Sequence, residues 1–114
     1  MSESLIFVLV ESPFAGNVKR NEAYVRAAMR DCLLRGEAPF ASHAIYTLPG
    51  VLDDDVPEER SIGIEAGLVI GAFASKTVVY HDFGISSGMA YGIESAKKCS
   101  RPIEYRSLKE FKDA

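Results

Sequence analysis

The sequence predicts an α/β domain: a three-layer sandwich around a small, mostly parallel sheet. Two observations carry this. Short apolar runs alternate with helical patterns from one end of the chain to the other. The first run, LIFVLV at Leu5 to Val10, is continuously apolar, as a strand covered on both faces must be. Returning each parallel strand to the same edge needs a crossover, and the helical segments supply it. A chain of 114 residues that is 47% hydrophobic suits one compact domain, spanning 1–114.

Each element has its own grounds. After Leu5 to Val10, the stretch ESPFAGN carries Pro13 and Gly16 and reads as a loop, with Asn17 placed to cap a helix. Val25, Ala28, Met29 and Cys32 recur on one face of that helix, and Gly36 stops it. The first half of APFASHAIY reads as the second strand. A long loop, TLPGVLDDDVPEER, follows, with a turn at Pro49-Gly50. Asp55 and Glu58 have capping-box spacing around Pro57. The next helix has an apolar stripe at Ile62, Ala66, Val69, Ile70 and Phe73, which is expected to face inward. Gly63, Gly67 and Gly71 recur along it, a costly helix composition that points to close packing. KTVVYH is the third strand, and SGMAYGIESAKKC is a helix with Met89, Ile93 and Ala96 inward. RPIEYR is a last strand, and SLKEFKDA a brief terminal helix capped by Ser107.

Charge and cysteine usage exclude several classes. Thirteen basic against sixteen acidic residues give a net charge of −3, with no basic run, which argues against a nucleic acid polymer as partner. Cys32 and Cys99 read as two reduced, packed thiols. There is no CxxC pair or zinc-like cluster, so neither a metal nor a cofactor is expected. The first apolar run is short and no basic leader precedes it, so the expectation is a soluble cytoplasmic protein without a membrane partner. A small domain buries a smaller fraction of its surface than a large one, and a homo-oligomer is expected on that ground.

Ligands of such sheets bind beyond the carboxyl ends of the strands. Three loops converge there: ESPFAGN, SHAIYTLPGVLDDD and HDFGISSG. In the third, Ser86 or Ser87 can cap a helix while amides around Gly88, beside Met89, hold a phosphate or carboxylate; the plain alternative is a cap that binds nothing. Asp82 at the strand tip can accept from a sugar hydroxyl or fix its own turn. Glu65 sits at the edge of an apolar helical face, where it can point to the pocket or bond to the first helix. Glu94 precedes Lys97 and Lys98 at ion-pair spacing, so a solvent-facing bridge competes with a catalytic role. Arg20, Asn21 and Arg26 can reach a ligand or cover their helix. His43 can serve as a base, although spacing names no partner for it. Ser12 lacks the GxSxG elbow of a triad nucleophile. The run Asp53 to Asp55 reads as a solvated loop.

VESPFAGN, PEERSIGIEAGLVI and VVYHDFGISSGMAYGIESA, in this order, resemble the nucleoside 2-deoxyribosyltransferase-like superfamily, and in particular its small branches. The resemblance implies a flavodoxin-like fold, an oligomer, and a nucleoside or nucleotide ligand. It implies cleavage or transfer of the N-glycosidic bond of a 2′-deoxynucleoside or its 5′-monophosphate through a helix-borne glutamate. By the same resemblance, Ser86, Ser87 and Gly88 would hold phosphate or a hydroxyl. Asp82 and Glu65 would be polar pocket groups, and Ser12, Pro13 and Phe14 would line the base side. The chain departs from the pattern at one point. The usual Gly-Met-Glu-x-Gly places Ala90 at the nucleophile position, one turn before Glu94. The sequence therefore leaves three readings: an N-glycosidase or transferase using Glu94, Glu65 and Asp82; a nucleotide-binding or sensing protein without that chemistry; or a small structural or interaction domain.

Overall fold

The structure is a computed structural model that describes residues 5–112. Its order is β1 (Ile6–Glu11), α1 (Val18–Leu34), β2 (Glu37–Phe40), α2 (Ser42–Ile45), α3 (Pro57–Gly71), β3 (Lys76–Tyr80), α4 (Ser87–Lys98) and β4 (Ile103–Arg106). The four strands form one parallel sheet in the order β2-β1-β3-β4. This is the expected flavodoxin-like α/β architecture. No helix among the described residues is long and apolar enough to cross a membrane.

Strand periodicity divides the core in two. Val8, Val10, Val78 and Tyr80 pack under α1 against Tyr24, Val25, Ala28 and Cys32. Val79 faces the other way, toward Met89 and Ile93 of α4 and Ile103 of β4. Fully burying one such aliphatic side chain contributes about 1.5–3 kcal/mol. Helix α1 forms because its apolar positions share a face and because Asn17 accepts from the Arg20 amide at 3.2 Å. It stops at Gly36, whose φ of 83° is the left-handed conformation that closes a helix.

The α1 side of the sheet also holds a paired charge network. Arg106 grips Glu37 with two bonds of 2.8 and 2.6 Å, and its Nε donates to Glu104 at 2.6 Å. Lys76 bridges Glu37 at 3.1 Å and Glu104 at 2.9 Å. Hydrogen bonds from Arg106 are the main reason that both carboxyls fall to about 2.

Several expectations are corrected. Most of the apolar stripe of α3 does not face inward: Ile62, Val69 and, just past the helix, Phe73 are exposed, while Ala66 and Ile70 are half-buried. The glycine row does the packing instead. A Cβ on Gly67 would meet Ser42 Oγ at 2.6 Å, and one on Gly71 would meet a Leu9 methyl at 2.6 Å, so backbone contact with α2 and β1 rotates the stripe outward. Asp55 does not cap α3. Val56 precedes the helix, and the Asp55 amide donates to Asp53 within the loop. Residues 107–112 form a turn rather than a helix, because Asp82 draws in both the Ser107 hydroxyl and the Leu108 amide. Cys32 is buried as expected, but Cys99 is exposed. The long second loop contains a short helix, α2, that sequence spacing did not indicate.

Candidate functional site

Strand β1 runs one residue further than its apolar run, and Glu11 is its last residue. It pairs with Val79 of β3, at the carboxyl end of the sheet. Alternation places Glu11 on the same face as Leu9, toward α3 and α4. There it lines a cleft of about 110 Å³ with Ser12, His43, Arg60, Ser86 and Gly88 among its walls. The loop after β1, the short helix α2, the start of α3 and the start of α4 all meet in this cleft. The glycines of α4 create the room. Gly92 is buried, and a Cβ on it would overlap the Glu11 carboxylate.

The electrostatics of the cleft follow from enclosure. The Glu11 carboxyl accepts no hydrogen bond from a described side chain or loop amide. Desolvation raises it to about 8, only partly opposed by the charge of Arg101. His43 is likewise enclosed, and burial lowers it to about 4, so its ring is neutral at physiological pH. Its Nε2 lies 2.7 Å from Ser12 Oγ. Ser12 itself is buried, and the pair joins α2 to the end of β1. Arg60 carries the positive charge. Its guanidinium would stand 3.4 Å from a Cβ on Gly88, at the start of α4, and its acidic neighbour is Asp54 at 3.7 Å. Ser86 caps α4 by accepting from the Met89 amide at 3.3 Å. The amides of Ser87 and Gly88 lie in the first turn, where the helix offers them no acceptor. Arginine and free amides together make one end of the cleft attractive to an anion.

A second concavity adjoins the first. It is a groove of about 540 Å³ lined by Phe14, Val18, Leu48, Val51 and Asp53 among others. Phe14 and Asp54 belong to both. The small cleft holds Glu11, His43 and Arg60, and the broader groove next to it combines apolar side chains with the carboxyls of Asp53, Asp54, Asp55 and Glu59.

The predicted residues divide clearly. Ser12, Phe14, Ser86, Ser87, Gly88 and Met89 line the cleft. Pro13 is buried but lies off the lining. Asn21 donates to the carbonyls of Phe14 at 2.8 Å and Ala15 at 3.2 Å, so it shapes the loop rather than facing a ligand. Asp82 is also outside the lining. Desolvation works against its ionisation, but bonds from the Leu108 amide, Ser107 and Tyr24 bring it below the usual carboxylate range. It fastens the chain after β4 to α1 and β3. Glu65 and Glu94 are exposed and point away from the cleft, because each lies on the outer side of its helix. Ala90 is exposed too; the position of α4 that meets the β1 carboxyl is 92. Sequence reasoning missed Glu11 and Arg60. The signal for Glu11 was present: a lone charge in phase with Leu9 at the end of an apolar strand.

Comparison with known proteins adds a family and a fold. Residues 6–106 match the family described as Domain of unknown function (DUF7768), and the chain belongs to it. No curated protein matches. Among solved structures, the chain is similar to a 2-deoxyribosyltransferase from Bacillus psychrosaccharolyticus. The TM-score is 0.62 at 19% identity, over 93% of this chain and 76% of the other. That likeness is one of fold.

Proposed function

We propose that this DUF7768 protein binds a 2′-deoxynucleoside or its 5′-monophosphate across the cleft and the adjoining groove, and hydrolyses or transfers its N-glycosidic bond. The observation that carries the reading is the meeting of Glu11, Arg60 and the open first turn of α4 in one cleft at the carboxyl ends of β1 and β3. Cleaving an N-glycosidic bond requires a carboxyl near the sugar and a fixed grip on the rest of the substrate. In this reading Arg60 with the amides of Ser87 and Gly88 takes the phosphate or a sugar hydroxyl. The base lies toward Phe14 and the groove, where Val18, Leu48 and Val51 provide apolar surface. A cleft of about 110 Å³ is too small for a whole nucleotide, so use of the groove is part of the proposal. The deoxyribosyltransferase fold of the solved relative is consistent with this reading. The exposed row of Ile62 and Val69 on α3 with Phe73 just beyond it supports a homo-oligomer, which light scattering would reveal as a mass above 12.4 kDa.

The test is incubation with a panel of deoxynucleosides and their 5′-monophosphates, with chromatography and mass spectrometry for free base and sugar product. The expected result is release of base from at least one member and weaker binding of monophosphates by Arg60→Ala. Saturable monophosphate binding without turnover would favour a nucleotide-binding or sensing protein. No binding to any member would leave a structural or interaction domain.

A further inference from the structure

We infer that Glu11 is the proton-donating carboxyl of the cleft, presented from the end of β1 into the space that a side chain at position 92 of α4 would otherwise fill. The inference rests on the N-glycosidic reading above and names the group that does the chemistry. Three independent observations support it. Glu11 is the carboxyl of β1 that alternation turns toward α4, whereas Glu65 and Glu94 point outward. Gly92 lacks the Cβ that would collide with the carboxyl where it stands, so a side chain at 92 would have to push the carboxyl aside. No hydrogen-bond donor among the described side chains occupies the carboxyl, which leaves it free to serve a ligand. The side chain is half-buried and lines the cleft, so a ligand entering there meets the carboxyl.

The surroundings favour donation over attack. The titratable and charged groups around Glu11 are His43 of α2, Asp54 of the preceding loop, Arg60 of α3, Tyr91 of α4 and Arg101 before β4. Arg101 is engaged with Thr77 Oγ1 at 2.9 Å and Cys99 Sγ at 3.2 Å, and no hydrogen bond from it reaches the carboxyl. Enclosure holds Glu11 near 8, so the neutral acid predominates at pH 7. In the reaction, the Glu11 O–H proton passes to a ring nitrogen of the base as the C1′–N bond breaks and its electron pair stays with the base. Water then forms the new bond to C1′, and the proton it loses returns to the Glu11 carboxylate. One water is consumed, and base and sugar are released.

The test measures base release from a deoxynucleoside 5′-monophosphate across the pH range around 8, with binding of the same monophosphate measured in parallel by calorimetry. Glu11→Gln keeps the shape and removes the proton. It is expected to lower turnover by about 100-fold or more while leaving monophosphate binding within about threefold. Wild-type turnover is expected to fall as pH rises through about 8. Gly92→Ala displaces the same carboxyl from the α4 side and is expected to lose turnover as well. Turnover retained in Glu11→Gln would overturn the role of Glu11 while leaving the N-glycosidic reading intact. Turnover that rises through about 8, or a sugar ester found on Glu11, would overturn proton donation. Absence of wild-type turnover would overturn both.

Discussion

Glu37 and Glu11 lie on opposite faces of one sheet, and the fold treats them in opposite ways. Glu37 is 5% exposed, is held by both arms of Arg106, and falls to about 2. Glu11 is enclosed with no hydrogen-bond donor to it among the described residues and rises to about 8. The two carboxyls are chemically alike, so the difference lies in their partners. Glu37 is structural because its charge is compensated at every oxygen. Glu11 holds a proton at neutral pH because desolvation outweighs the one charge, Arg101, that opposes it, and that is the condition for moving one.

The comparison can be broken first on its paired side. Arg106→Met should strand Glu37 and destabilise the fold by about 3–5 kcal/mol in denaturant unfolding. The double change Arg106→Met with Glu37→Met should recover most of that loss. A single variant as stable as wild type would mean that the network is incidental.

The unpaired side should show itself in the pH dependence of stability. Between about 4.5 and 8 the folded state holds a proton on Glu11 that the unfolded state has released, so stability falls as pH rises. His43 works the other way: between about 4 and 6.5 the unfolded chain takes up the proton, and stability rises with pH. The two oppose each other up to about 6.5, and above that Glu11 alone remains, with a slope of up to about 1.4 kcal/mol per pH unit. Glu11→Gln should flatten that upper limb. Equal slopes in the variant and the wild type would contradict the assignment.

Smaller effects sharpen the geometry. Gly92→Ala should cost about 1–3 kcal/mol through overlap with Glu11. Combining it with Glu11→Ala should restore most of that, and the coupling read from the double-mutant cycle measures the contact directly. Additive losses would place the carboxyl elsewhere. Glu65→Gln and Glu94→Gln, which are exposed, should each change stability by less than about 0.5 kcal/mol and leave turnover unaltered. A large loss of turnover in either would return the chemistry to the helices.

Much of this was legible in the sequence. All four strands were located and glycine and asparagine punctuated α1, since these signals are local. A serine cap at 86 or 87 was expected, because a cap is decided by its own turn, and Ser86 is the one that makes it. What was not legible depended on contacts far apart in the chain. The α3 stripe looked like a core face, but three glycines let the opposite face come closer to α2 and β1. Asp82 looked like a pocket group, but residues 107 and 108 return to claim it. Glu94 carried the expected residue type on the expected helix, yet helical rotation turns position 92 inward and 94 outward. Glu11 was overlooked because an apolar run was taken to end at its last apolar residue, one position short of the strand.

The most direct measurement is carbon-13 NMR of the glutamate side-chain carboxyls through a pH titration of the folded protein. The account predicts that Glu11 titrates near 8, while Glu37 and Glu104 stay ionised down to about 2. A Glu11 midpoint near the ordinary 4.5 would contradict it, since the carboxyl would then be solvated and the cleft would hold no proton to give.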